Sequence, residues 1–256
     1  MPIWTDLQYR LLKRISSGRS VSRAAAPGYA GSSKLQILLG DKLVGLLPGR
    51  IVIDFGCGTG QEALEMARLG AGKVIGVDIR EQVLQQARQS AGKAGLGDMC
   101  EFTTNPSEKA DIIVSLDAFE HFEDPAAILR VMDELLKPEG EVLASFGPTW
   151  YHPLGGHTFS IFPWSHVLFS EAALIRWRAD FKTDGATRFS EVDGGLNQMT
   201  IKRFERLVRE SPLELTGLEA VPIRQLKPVH SRLTREFTTA VVRCRLRKPG
   251  TKLTAL

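Results

Sequence analysis

Residues Asp54-Phe55-Gly56-Cys57-Gly58-Thr59-Gly60 set three glycines at alternate positions behind a carboxylate, directly after the apolar run Ile51-Val52-Ile53. Glycines so placed let the chain turn sharply and bring bare backbone against a ligand, so the chemistry on offer is cofactor binding. Gly56 and Gly58 make the room, and Asp54, Phe55, Cys57 and Gly60 complete the turn. A dinucleotide fingerprint, GxGxxG, would need a third glycine where this chain has Gln61. A carboxylate at Asp54 would also repel a pyrophosphate, whereas a cofactor bearing an ammonium group tolerates and can use it. Eighteen residues after Gly60 comes Asp78, at the end of a second apolar run and beside Ile79. There a carboxylate can accept bonds from both hydroxyls of a ribose. The competing reading is that Asp78 caps the following helix.

The acidic-x-GxGxG pattern is matched at every fixed position, and residues 34–146 resemble the class I S-adenosylmethionine-dependent methyltransferases, in their small-molecule, type 11-like branch. Leu116-Asp117-Ala118-Phe119-Glu120-His121-Phe122 is similar to that family's segment after strand four, and Leu135-Leu136-Lys137-Pro138-Glu139-Gly140 to its turn into strand five. The resemblance implies a Rossmann-like three-layer α/β/α sandwich with a seven-stranded, mostly parallel sheet whose last strand is antiparallel. It implies S-adenosyl-L-methionine as cofactor and S-adenosyl-L-homocysteine as product, bound across the C-terminal ends of the strands. Backbone at Ser115 and Leu116 would then line the methionine part. Where the family often has an Asp for the adenine amino group, the nearest candidate is Asn105.

Methyl transfer is an in-line displacement at an activated carbon, so a base is optional and matters when the acceptor is a hydroxyl. His121, just after strand four, can serve as that base or hold a structural place in the pocket; both readings stand. The insertion after strand five is more individual. Trp150-Tyr151-His152-Pro153-Leu154-Gly155-Gly156-His157 and Phe162-Pro163-Trp164-Ser165-His166 gather three of the chain's five histidines. As a substrate lid, it would use Trp150, Tyr151 and Trp164 to stack on an acceptor, with His152 or His157 acting on a hydroxyl. The alternative is a local aromatic core with its histidines bonded to backbone. A three-histidine metal site lacks a carboxylate partner at regular spacing, so no metal is assigned.

These residues need a scaffold, and the rhythm of the chain supplies one. Apolar runs at 51–53, 74–77, 100–103, 111–116 and 142–146 alternate with helical stretches at 61–69, 81–91 and 125–136, which specifies a parallel sheet covered on both faces. Asp124 followed by Pro125 starts the last of these helices. Helices are also expected at 3–15, 33–47, 170–179 and 199–209, and final strands near 215–223 and 237–246. In the last, Arg243, Arg245 and Arg247 alternate with Val242, Cys244 and Leu246, a pattern that suits a sheet edge. The domain plan is an N-terminal helix and flexible arm over 1–31, then a methyltransferase domain over 32–256 with a lid-like insertion at 148–195.

At 256 residues and 43% hydrophobic composition the chain can bury one large core. No stretch approaches the roughly 18 apolar residues of a membrane span, and no secretory signal opens the chain, so a cytoplasmic protein without a membrane span is expected. Three scattered cysteines imply free thiols. The net charge of +4 is uneven: residues 1–27 carry five basic and one acidic side chain, residues 201–256 thirteen and five, and the middle is acidic. No nucleic-acid-binding motif accompanies the basic ends, so the expected partner is a small molecule. The expected function is O-methylation of a small molecule or sugar-containing acceptor. The alternatives are a non-catalytic S-adenosylmethionine-binding regulatory protein, or a methyltransferase acting on protein or nucleic acid.

Overall fold

The computed structural model describes residues 3–16, 33–39, 41–192 and 194–250, so the expected arm between the first two helices lies outside the described residues. Within them the strand–helix alternation is realised: β1 (Ile51–Phe55), α3 (Gln61–Arg68), β2 (Lys73–Val77), α4 (Glu81–Lys93), β3 (Cys100–Thr103), β4 (Ala110–Leu116), α5 (Pro125–Leu135) and β5 (Leu136–Phe146). Ahead of them come α1 (Ile3–Ser16) and α2 (Lys34–Leu39). After them come α6 (Ser165–Leu168), α7 (Glu171–Arg178), α8 (Ile201–Arg209), β6 (Glu214–Pro222), α9 (Arg235–Thr238) and β7 (Thr239–Arg247). The helix expected over 33–47 divides, since a 3-10 turn covers Asp41–Leu46.

One seven-stranded sheet has the order β3-β2-β1-β4-β5-β7-β6. β1 pairs parallel with β2 through Asp54↔Gly76 and with β4 through Asp54↔Val114, so the strand order reverses at β1. Alternate residues of β1 face opposite layers. Ile53 and Phe55 enter a core with Phe119, Phe146 and Phe204, while Val52 joins the core under α3 and α4 with Leu64, Ala87 and Phe102. Both faces are therefore covered, which is why these strands read as unbroken apolar runs. Asp124 caps α5 by accepting from the Ala127 backbone N–H at 3.0 Å, with Pro125 behind it, a cap that contributes about 1 kcal/mol.

Two expectations are corrected. β7 is not the edge: it runs antiparallel between β5 and β6, and β6 is outermost. Its arginines face carboxylates from both neighbours rather than bulk water. Arg245 and Arg247 reach buried Glu141 at 3.1 and 3.2 Å, and Arg243 reaches Glu219 at 3.1 Å. An alternating charged face therefore reports ion pairing across the sheet here. Residues 137–140, expected as a turn, lie within β5 as a bulge between the Ala110↔Leu136 and Ile112↔Glu141 pairs.

α1 forms as expected. It docks on α7 through Thr5, Gln8 and Leu12, with Gln8 Oε1 accepting from the Ser170 hydroxyl at 2.6 Å and Asp6 pairing Arg176 at 2.9 Å. Ile3, Leu7, Leu11 and Ile15 stay exposed. Polar contacts and Leu12 together hold α1 on α7, and most of its apolar residues face outward.

The insertion builds a third core in which Leu12 meets Phe159, Leu174, Trp177, Phe189 and Leu196, with Trp150 packed against it. No helix among the described residues is long and apolar enough to cross a membrane. Phe204 on α8 joins the layers: fully buried, it stands edge-on to Phe119 at 5.2 Å and lies 4.8 Å from Phe146. Phe204→Ala is expected to cost about 3–5 kcal/mol of stability, read from the denaturant midpoint, because the ring leaves a cavity its neighbours cannot close.

Candidate functional site

The carboxyl ends of β1, β2 and β4 deliver the glycine turn, Asp78 and Ser115–Leu116 to one edge of the sheet, at the reversal of strand order where α/β sheets hold ligands. Gly56, Gly58 and Gly60 take φ of +87°, +52° and +79°. A Cβ on Gly60 would come within 2.8 Å of the Phe102 ring, so no larger residue fits there, whereas a Cβ on Gly58 would meet nothing within 4 Å. Gly58 thus borders open space, as a loop that receives a ligand must.

Asp54 lies beneath this loop, 3% exposed, with Oδ2 unpartnered among the described residues. Burial, reinforced by Glu62, pushes its carboxyl up to about 8, against the pull of the Lys34 ammonium and the Ala63 backbone N–H. Lys34, which sequence reasoning missed, opens α2 and puts its ammonium 3.3 Å from Asp117 and 3.8 Å from Glu62. Burial works against its charge, but those carboxylates outweigh burial and hold its pKa above the ordinary lysine value. A cation already sits among Asp54, Glu62 and Asp117, so the pocket's field suits an ammonium or sulfonium group. Nothing in the local sequence around Lys34 announces this role, because only the fold brings it beside the loop.

Asp78 is 7% exposed, and its carboxylate accepts from the Gly58 backbone N–H at 3.0 Å, from the Arg80 backbone N–H at 3.0 Å and from the Arg80 guanidinium at 3.0 and 3.1 Å. Burial alone would raise its pKa; the Arg80 bonds outweigh burial and hold it below the usual range. The Arg80 side chain is 57% exposed, so it can yield the carboxylate oxygens to ribose hydroxyls. Beside it Ile79 stands 92% exposed, an apolar surface open to a flat ring. Asn105 is exposed and its backbone N–H donates to Thr103 Oγ1 at 3.1 Å. Ser115 is buried and its hydroxyl donates to the Phe55 carbonyl at 3.0 Å; Phe55, Cys57 and Leu116 are buried as well. A buried carboxylate with one oxygen unpartnered among the described residues, a ring of acids around a cation, open space over Gly58 and a solvent-edge Asp78 together fit a cationic nucleoside cofactor.

The histidines that the sequence singles out lie near one another, each with different partners. His121 and His157 meet with ring centroids 5.2 Å apart, beside buried Glu120. Burial pulls His157 down to about 4, and His121 pulls the same way. Its backbone takes φ +50°. His152 is near enough to His157 to act on its charge, its own Nδ1 accepts from the Leu154 backbone N–H at 2.9 Å, and burial lowers it to about 4 as well. His166 is held inside the insertion between Ser160 Oγ and the Trp150 carbonyl. Trp150 packs on His166 and Phe189, Tyr151 lies 5.3 Å from the Phe237 ring, and Trp164 donates its indole N–H to the Tyr151 carbonyl at 2.9 Å while remaining 37% exposed. The insertion therefore has a packed interior, with Trp164 left at its rim.

Residues 46–148 match a family model described as a methyltransferase domain. A ubiquinone biosynthesis O-methyltransferase of Neisseria meningitidis serogroup C is 39% identical over 106 residues, covering 39% of this chain and 44% of that protein. A ribosomal protein L11 methyltransferase of Shigella sonnei is 45% identical over 73 residues, 27% of this chain and 25% of that protein. The chain spans less than half the length of these curated relatives. Among solved structures, a protein from Galdieria sulphuraria titled a sarcosine dimethylglycine methyltransferase superposes with a TM-score of 0.57 at 15% identity, covering 97% of this chain and all of that one, which speaks for the fold.

Two outcomes test the cofactor end. Asp78→Ala should weaken S-adenosylmethionine by about 100-fold in calorimetric titration, since bonds to a charged acceptor contribute about 1.5–3 kcal/mol each. Asp54 binds its proton more tightly folded than unfolded, so its contribution to stability falls as pH rises from near 3.8 through about 8. Asp54→Asn should therefore raise the melting temperature more at pH 8 than at pH 5, while weakening the cofactor about tenfold or more.

Proposed function

We propose, on the premise that residues 46–148 are a class I S-adenosylmethionine-dependent methyltransferase domain, that this chain methylates a hydroxyl oxygen of a small-molecule acceptor. Bound S-adenosylmethionine supplies a sulfonium-activated methyl carbon. The chain's own task is then to align the acceptor, help it lose a proton and exclude water.

The observation that carries oxygen as the nucleophile is the grouping of Glu120, His121 and His157 just beyond β4. Asp117 and Lys34, at the cofactor end, are near enough to act on the charge of Glu120, so this grouping adjoins the pocket. A hydroxyl must be deprotonated to attack, and imidazole groups are suited to that near neutral pH. As the acceptor's C–O bond forms, the C–S bond breaks with its electron pair going to sulfur, and the hydroxyl proton leaves by way of the cluster. Trp164 and Tyr151, on the rim of the insertion, supply a surface for an acceptor ring, with Trp150 behind them. His152 shapes the loop that carries them. A relative whose name specifies O-methylation in ubiquinone biosynthesis supports a small acceptor; the ribosomal protein methyltransferase matches a shorter stretch and carries less weight.

Transfer of a labelled methyl group from S-adenosylmethionine to a panel of phenolic and sugar hydroxyl acceptors tests this. His121→Ala and His157→Ala should each lower kcat about 100-fold or more while keeping cofactor affinity within about threefold. A wild type that binds the cofactor yet methylates only amines or proteins overturns the choice of oxygen.

A further inference from the structure

Glu120, His121 and His157 each place one donor atom within 4.8 Å of the other two. Glu120 is 2% exposed; Oε1 accepts from the Gly147 backbone N–H at 3.0 Å, and Oε2 has no partner among the described residues. His157 Nε2 is likewise buried and unpartnered. His121 Nδ1 lies 2.8 Å from the Gly195 carbonyl oxygen. A carbonyl only accepts, so Nδ1 carries the hydrogen and the lone pair of the neutral ring is on Nε2. Unpartnered polar atoms in a buried site each cost about 1–3 kcal/mol, and a native fold keeps few of them. Here two of them, with an imidazole fixed in one tautomer, gather at one place.

We propose that Glu120, His121 and His157 bind a divalent transition-metal ion of the zinc class. Two imidazoles and a carboxylate form a donor set for zinc, with a fourth position left for a substrate oxygen, whereas magnesium and calcium favour oxygen ligands. Tetrahedral zinc with arms of about 2.1 Å spaces its donors about 3.4 Å apart, so the cluster has to contract by about 1.4 Å from its widest spacing. The bond from His121 to Gly195 is the outer-shell contact that orients an imidazole ligand. Gly195 is required for it: φ is +66°, and a Cβ there would approach the His121 carbonyl oxygen within 2.8 Å. The three cysteines are each buried elsewhere in the cores and do not compete as ligands.

The site joins two parts of the chain, Glu120 and His121 after β4 and His157 in the insertion, and so ties the insertion down beside the cofactor pocket. Resting on the hydroxyl-methylation reading, it also specifies how the acceptor is activated. With the ion bound, His121 and His157 would serve as ligands in place of acting as the base themselves: the ion would lower the pKa of an acceptor hydroxyl at the open position, and the proton would pass to solvent water before the oxygen's electron pair attacks the methyl carbon.

The test uses the full chain, stripped with a chelator and titrated with Co²⁺ as a spectroscopic probe and with Zn²⁺ by calorimetry. One equivalent of Co²⁺ should give the visible absorption of a four- or five-coordinate site, displaced by Zn²⁺. His157→Ala and His121→Ala should weaken Zn²⁺ at least about 100-fold, and Glu120→Gln at least about tenfold, with S-adenosylmethionine affinity kept. If a variant does not fold, the wild-type Co²⁺ complex decides: paramagnetically shifted signals from two imidazoles support the site, and their absence overturns it. Binding of Zn²⁺ that is unchanged in folded His157→Ala also overturns it. A wild type that binds the cofactor and methylates hydroxyls after complete metal removal overturns the ion alone. Failure to bind S-adenosylmethionine would sink the methyltransferase reading while the cobalt result still judges the site.

Discussion

The pairing of β1 with β2 on one side and β4 on the other is the constraint from which the rest follows. Because the three strands are parallel and in register, their carboxyl ends coincide, and three short segments far apart in the chain open at one edge. The reversal of strand order there parts the crossovers to opposite faces and leaves a cleft. The glycine turn, Asp78 and the segment after β4 need no further device to meet. The two apolar layers on either face hold that geometry, with Phe119, Phe146 and Phe204 packed on the side from which Glu120 and His121 emerge.

The electrostatics of the edge carry a conflict that a cationic cofactor resolves. Asp54 is buried among further acids, with Lys34 the nearby cation. Without a second positive group its ionised form is disfavoured, so the ionised carboxylate lowers stability. Asp78 shows the opposite arrangement, since Arg80 and two backbone N–H groups satisfy it in advance. The pocket thus has one acid held ready by its own chain and one that lacks a full complement of partners.

The insertion adds a second level of organisation. Its own core, shared with α1 and α7, fixes an element that the sheet does not pair with, and this fixing brings His157 onto His121. The sheet thus places the glycine turn and Asp78, and the insertion places His157.

Much of this was legible in the sequence because it is local. Period and turn chemistry identify β1 to β4, α3 to α5 and the Asp124 cap, and the Asp54–Gly60 spacing identifies the glycine turn after β1, since each signal lies within a few residues of the structure it specifies. Relations between distant segments were not legible. The alternating arginines of β7 mark a polar face in any setting; only the sheet order showed that Glu141 and Glu219 answer them and that β6 is the edge. A helix over α1 was expected from the sequence, whereas its docking through Gln8, Asp6 and Leu12 onto α7 and the insertion's core was not. Lys34 among the acids and His157 against His121 are likewise products of long-range packing. Side-chain type and spacing determine local conformation and a cofactor class, whereas the partner of a charge or a lone pair depends on which remote segment the core brings beside it.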